Sequence, residues 1–321
     1  MKKNELQIEL KDREIAKLKA ENKSLKAHAV RLAGSIDRHT RAKGKFKALD
    51  ICRPERRAAG DSIRVVYGDT HGSALDEAAA QAFLADVTLL HPNEMVHLGD
   101  AVNCGGFLAQ HHVMGFVAET AYSYEEDIAA TNRFFDSVHK ASPDSYKFWI
   151  EGNHDRRPET WAVTETLRHS GDAEWLRNTV APEVLCHAAD RGISYYRQDR
   201  CYNGLTVQGT LRLGKCHYWH GTSAAKHAAA VNSQKVGGNI VYGHTHRMDA
   251  WISAPMALGA IGAWNPGCLC QKQPLWRHTD PTGWTNGYAI QLVQADGKFL
   301  HINIPIIDGK SLLGPLVDQL K

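Results

Sequence analysis

Five short polar clusters follow one another along the chain, each directly behind a run that reads as a buried strand. They are Asp69-Thr70-His71, Gly99-Asp100-Ala101-Val102-Asn103, Gly152-Asn153-His154-Asp155, His220-Gly221 and Gly243-His244-Thr245-His246. The first three runs are Ile63 to Tyr67, Met95 to Leu98 and Lys147 to Ile150, rich in β-branched and aromatic residues. Between them the pattern turns helical. Ala78, Ala82, Phe83 and Leu90 fall near helical spacing within residues 74–90, and Ile128, Phe135 and Val138 mark an inward face within 124–140. Strands alternating with helices predict βαβ units in a largely parallel sheet. In such sheets, sites form beyond the carboxyl ends of the strands, which is where these clusters stand.

Residues 156–200 are less regular and read as an insertion over that edge, with short helices at 165–177 and 182–191. Beyond them the texture becomes β, with short strands at 205–208, 211–213, 217–219 and 240–242. Runs at 287–293 and 299–306 flank Ala295-Asp296-Gly297, a hairpin turn signal. These segments predict a second, more antiparallel sheet. No internal repeat is evident.

At 321 residues, 43% hydrophobic and 23% charged, the chain has enough apolar material for one or two domains. No run of about 18 apolar residues occurs, so no spanning helix is expected. The stretch 255–269 is broken by Gly259, Gly262, Asn265 and Pro266. The basic, polar N-terminus has no apolar segment behind it and does not read as a signal peptide. Seven cysteines show no C-x-x-C spacing, which suits reduced thiols in a cytoplasmic protein. Cys268-Leu269-Cys270 brings two thiols close in sequence without a metal-binding spacing.

The net charge of +3 hides a split. Residues 1–57 hold 17 Lys and Arg against 8 Asp and Glu, and the rest of the chain is acidic. Residues 8–36 carry a heptad. Ile8, Ile15, Asn22, Ala29 and Ile36 fall at a, and Lys11, Leu18, Leu25 and Leu32 at d. Ile at a with Leu at d favours two parallel strands, and one Asn at a fixes register. Glu14 and Glu21 at g would face Lys19 and Lys26 at e of a partner. The arm is therefore expected to self-associate, as a dimer. Packing on the body is the alternative, while the narrow stripe without aromatics argues against a membrane surface. Residues 38–57 are strongly basic and could touch nucleic-acid phosphates. The expected organisation is a helical coiled-coil arm over 1–36, a basic linker over 37–62, a catalytic domain over 63–308 and a tail over 309–321.

Hard divalent metals take oxygen and imidazole donors, and phosphate chemistry needs no thiolate. Two ions about 3.5–4 Å apart can clamp a phosphate, given one shared carboxylate and further donors on each side. Asp69, His71, Asp100, Asn153, His220, His244 and His246 have the type and number. At this point the sequence resembles the calcineurin-like metallophosphoesterases, over residues 63 to about 270, with all five clusters in order. The resemblance implies an α/β sandwich of two mixed β-sheets flanked by helices. It implies that Asp69, His71 and His246 hold one metal, that Asn153, His220 and His244 hold the other, and that Asp100 bridges them. It further implies that His154 is the general acid while a metal-bound hydroxide attacks in line. Mn²⁺ is the favoured ion, with Fe or Zn²⁺ as alternatives.

Asn103 departs from the protein phosphatases of that family, which carry Asp there, followed by Arg. An Asn can orient His154 by a hydrogen bond but cannot add charge to it. The third cluster reads Asn-His-Asp rather than Asn-His-Glu. Both differences point toward phosphodiesterases and nucleases acting on nucleic acid; a phosphomonoesterase of proteins or small molecules is the alternative, and a non-catalytic binding module a third. The C-terminal stretches Asn265-Pro266-Gly267-Cys268, Trp284 to Ile290 and Ile307-Asp308-Gly309 are similar to compact, phage-encoded members, which would place the protein in the host cytoplasm. Arg156 and Arg157, behind the third cluster, suit phosphate recognition. His97 reads as a core histidine, His111 and His112 as surface residues, and His217 as structural or a site neighbour.

Overall fold

A computed structural model describes residues 61–108, 122–166, 173–202, 204–205, 207–254, 259–274 and 282–315. All of them belong to one compact unit, Cys52–Lys321. The heptad arm, nearly all of the basic linker, and His111 and His112 lie outside the described residues.

The first strand, β1 (Ser62–Tyr67), is fully buried at Val65 and Val66, as a strand covered on both faces must be. It pairs in parallel with β2 (Glu94–His97), which pairs in parallel with β3 (Tyr146–Ile150) and that with β4 (Ile193–Tyr196). Helix α1 (Glu77–Leu90) connects β1 to β2. Asp76 caps it by accepting from Ala79 N at 3.1 Å, and Ala80, Phe83 and Val87 face inward. Helix α2 (Tyr124–Ala141) precedes β3, capped by Ser123 and inward-facing at Phe134, Phe135 and Val138. The three expected strands and two expected helices are all present, and Ile128 packs against the same core.

Three segments differ from the expectation. The region 156–200 is no mere insertion, since β4 extends the sheet. Its helices are α3 (Arg157–Thr166), α4 (Ala173–Val180) and the short α5 (Pro182–Leu185). Among the described residues of 205–208 none is in a strand, and Gly204 and Gly209 on either side take φ of 72° and 66° and bend the chain. The hairpin at 287–306 belongs to the first sheet: β10 (Gly287–Val293) pairs antiparallel with β1, and β11 (Phe299–Ile307) with β10. Strand polarity alone does not say which sheet a hairpin joins. Lys310–Ser311 form β12 beside β11, and Leu313 is buried, so part of the expected tail packs on this body.

The seven-stranded sheet runs β12-β11-β10-β1-β2-β3-β4. A second, five-stranded sheet runs β5-β6-β7-β9-β8, from β5 (Leu211–Leu213), β6 (Cys216–Trp219), β7 (Ile240–Tyr242), β8 (Met248–Ser253) and β9 (Ile261–Pro266). It is mixed rather than mainly antiparallel, with β6, β7 and β9 parallel. One core lies between α1, α2 and the first sheet, around Phe83, Phe135 and Trp149. A second lies between the sheets, around Leu98, Ile150, Tyr218 and Val241. Helix α6 (Ala228–Val236) covers the outer face of the second sheet over Tyr242 and Ala263. Arg64 is buried between the sheets and is paired with Glu94 at 2.7 Å and Tyr218 at 2.5 Å, which offsets its desolvation. Among the described residues, no helix is long and apolar enough to cross a membrane.

Candidate active site

Three of the five clusters leave their strands through strained backbone. Asp69, His71, Asp100, His244 and His246 have φ of 50°, 51°, 53°, 73° and 55°, a left-handed region that non-glycine residues enter at a cost. The surrounding contacts hold them there. His71 N donates to Asp100 O at 3.0 Å, and Asp69 N to Gly99 O at 2.9 Å. A Cβ at Gly99 would lie 2.7 Å from Gly152 N and 2.8 Å from His220 Nδ1, and one at Gly152 would lie 2.1 Å from Asp100 Oδ1. The clusters therefore approach one another more closely than side-chain-bearing backbone allows.

The seven residues singled out as metal donors come together. Asp69, His71, Asp100 and His246 offer ligand atoms within 4.8 Å of one another, and so do Asp100, His220 and His244. Asn153 Oδ1 joins the second group, 2.9 Å from His220 Nε2 and 2.8 Å from His244 Nδ1. Asp100 is common to both. Its Oδ2 lies 3.3 Å from His220 Nε2 and 3.8 Å from His71 Nε2. Asp69 Oδ1 stands 3.1 Å from His246 Nε2. Both carboxylates are essentially fully buried.

Second partners fix which nitrogen of each ring faces inward. His220 Nδ1 donates to Leu98 O at 3.0 Å, leaving Nε2 as a lone pair toward Asn153 and Asp100. His71 Nδ1 lies 3.3 Å from Asn103 Oδ1, so its Nε2 faces the centre, 3.1 Å from His246 Nε2. His246 Nδ1 faces Cys270 Sγ at 3.7 Å, and Trp284 packs on its ring at 4.0 Å. Around His220, three acceptors converge on one point, an arrangement that a cation satisfies. A proton can take that place: burial lowers the His220 pKa, but Asp100 and then Asp69 outweigh it and raise it to about 9. Burial would push Asp100 up, yet His220 and His154 hold it well below the usual carboxylate range. The donor set thus fits two divalent ions sharing Asp100.

His154 sits beside this centre, its ring 4.5 Å from that of His71 and edge-on to it. Its N–H donates to Asp100 Oδ1 at 2.7 Å. Its Nδ1 lies 2.5 Å from the main-chain oxygen of Asn103. Asn103 therefore holds His154 through its backbone, and its side chain serves His71 instead. Burial keeps the His154 pKa well below the imidazole range, against the pull of Asp100. Arg157 donates to the carbonyls of Asn103 and Cys104 at 3.3 and 3.0 Å, bracing the loop that holds His154. Arg156 is half-buried, at the turn where its N–H meets Gly152 O.

Two acids that the sequence left without a role organise the loops. Asp155 accepts from Asp100 N, Ala101 N, Val102 N, Gly152 N and Trp149 Nε1 at 2.8–3.1 Å, locking the second cluster to the third. Asp127, on the buried face of α2, accepts from Ser73 N, Asn103 N, Cys104 N and Tyr122 OH at 2.8–3.0 Å, locking the first cluster to the second. An acid among inward-facing positions was the available signal for Asp127. His97 is a core residue as expected, buried against Tyr67, Phe135 and Trp149. His217 is half-buried, with Nδ1 3.1 Å from Asn239 O. Cys270 and Trp284 stand in stretches that the sequence marks, but nothing in the sequence places them at the site.

No family model matches the chain, and a search of curated proteins finds no match. Among solved structures it is similar to a single mutant of Vps29 from Entamoeba histolytica, at 12% identity over 78% of this chain and 95% of that one, TM-score 0.37. It is also similar to Yfce, a phosphoesterase from E. coli, at 14% identity over 75% and 98%, TM-score 0.30. Nuclease MPE from Pseudomonas putida is similar at 12% identity over 74% and 87%, TM-score 0.30. Likeness of this degree decides nothing about the chemistry, which rests on the residues themselves.

Proposed function

We propose that the chain is a metal-dependent phosphoesterase of the calcineurin-like kind. The observation that carries this reading is the pair of buried donor groups that share Asp100. Asp69, His71, Asp100 and His246 would hold one divalent ion, and Asp100, Asn153, His220 and His244 the other. When bound, the ions supply Lewis acidity and a nucleophile available at neutral pH. Mn²⁺ suits these oxygen and imidazole donors, with Fe and Zn²⁺ as alternatives.

The chain's own residues supply orientation and proton handling. Leu98 O and Asn103 Oδ1 keep His220 and His71 in the tautomers that present Nε2 to the centre. With Nδ1 committed to Asn103 O, His154 has Nε2 left to serve a leaving oxygen. Its neutral ring acquires a proton more readily when a phosphate brings negative charge beside it. Arg156 is a phosphate contact in this reading, whereas Arg157 braces the loop.

A phosphodiester, and in particular nucleic acid, is the favoured substrate. Support comes from Asn103, which gives His154 no added charge, and from the Asn-His-Asp cluster. Turnover of bis(p-nitrophenyl) phosphate against p-nitrophenyl phosphate, with Mn²⁺, tests it. Preference for the diester, lost on His154→Ala, is expected. A strong monoester preference would replace this reading with a phosphomonoesterase, and inactivity on both with a binding module.

A further inference from the structure

Residues 200–248 contain six Lys and Arg and no Asp or Glu, on a body that is otherwise acidic. That stretch builds most of the second sheet and both of the last two metal-donor clusters. Three of its cations are exposed and sit beside the proposed metal centre. Arg247 directly follows His246, and its Nη2 donates to Ala224 O at 3.2 Å. Ala224 belongs to the loop 221–227 that leaves His220, which also carries exposed Lys226. Lys235, on α6, donates to Thr222 Oγ1 at 2.7 Å, two residues from His220, and lies over the Trp219 ring at 5.9 Å. Among the described residues, none of the three has a carboxylate partner.

These contacts make one surface. Arg247 and Lys235 are each tied by a hydrogen bond to the segment that follows His220, which itself carries Lys226, and neither tie neutralises the charge. By contrast, Arg64, Arg177, Arg191 and Arg197 pair with acids. Trp284 adds an aromatic surface at the cleft, packed on His246 next to Gly283, whose Cβ position is 4.0 Å from Arg247 Cδ. Unpaired cations beside an aromatic ring are the combination that single-stranded nucleic acid uses, with phosphates on the cations and a base on the ring.

We propose that the loop 221–227, with Lys226, Lys235, Arg247 and Trp284, is the track that carries a single-stranded nucleic acid to the metal centre. This rests on the phosphodiesterase reading and specifies its substrate.

Binding of a fluorescent single-stranded oligonucleotide, followed by anisotropy over a salt series in the full chain, tests the proposal. The variant is Lys226→Gln/Lys235→Gln/Arg247→Gln. Each phosphate contact to a single strand contributes about 0.7 to the slope of log affinity against log salt, so the variant should lose about 2. Affinity should fall at least about 10-fold at moderate salt, and Lys226→Arg/Lys235→Arg/Arg247→Lys should restore the slope. A slope that does not change, with metal content intact, would overturn the track. If wild-type protein hydrolyses bis(p-nitrophenyl) phosphate but binds no oligonucleotide, the track fails while the phosphodiesterase reading stands. If it hydrolyses neither diester nor nucleic acid with metal bound, the underlying reading fails.

Discussion

Asn103 shows how one residue serves two rings by different atoms. Its main-chain oxygen takes the His154 Nδ1 proton, and its side-chain oxygen faces His71 Nδ1. Asn103→Ala should therefore weaken metal binding at the His71 group by about 10-fold or more, as loss of an outer partner does. The Nδ1–H tautomer of His154 should survive, since the carbonyl remains. Metal titration and nitrogen NMR of the imidazoles check the two halves separately; a changed His154 tautomer would refute the division of labour. His97 makes a pH prediction. Its Nδ1 accepts from Gly99 N at 3.1 Å, and its Nε2 lies 3.1 Å from Thr70 Oγ1. Burial lowers its pKa to about 3, against the pull of Asp69 and Asp100. The unfolded chain takes up a proton near pH 6.5 that the folded one refuses, so His97 costs stability as pH falls from about 6.5 to about 3. Denaturant midpoints at pH 7 and pH 4.5 should differ less in His97→Gln than in wild type, and equal differences would contradict this.

Among elements, α2 does more than cover the sheet. Asp127 near its start gathers four donors from the loops that carry His71 and Asn103. Asp127→Ala would leave buried N–H groups unmatched, and a cost of about 3 kcal/mol or more is expected in urea unfolding. Metal affinity should fall with it; a loss under about 0.5 kcal/mol would show that the loops hold themselves. The sequence held one signal for this hub, an acid at helical spacing from Phe134, Phe135 and Val138, but Asp127 also reads as an ordinary acid in a helix's first turn. The strands that precede the clusters were legible, because compact apolar runs ended in unusual Asp, Asn and His groups. So were α1 and α2, with their clear inward faces. Strand β9 was not, since Gly262, Asn265 and Pro266 break the pattern, nor was β8, where Asp249 and Ala250 interrupt the apolar residues. The hairpin β10–β11 was recognisable from its turn, but only tertiary packing places it against β1. The seven proposed metal donors were recoverable from order and spacing, whereas the roles of Asp155, Cys270 and Trp284 lie in tertiary contacts that the sequence does not show.

For the whole molecule, two sheets meet at one edge. The first sheet brings Asp69, Asp100 and Asn153 to that edge, and the second brings His220, His244 and His246. The heptad over residues 8–36 remains a proposal of its own. Deleting residues 1–36 should lower the mass seen in light scattering to that of a monomer, and an unchanged mass would remove the coiled coil. The shared carboxylate is the point on which the chemistry turns. Bound Mn²⁺ per chain, measured alongside bis(p-nitrophenyl) phosphate turnover in wild type and Asp100→Asn, tests it most directly. Two ions per chain in wild type, with turnover rising as the second binds and both lost in Asp100→Asn, is the predicted result. Undiminished metal binding and turnover in Asp100→Asn would contradict it.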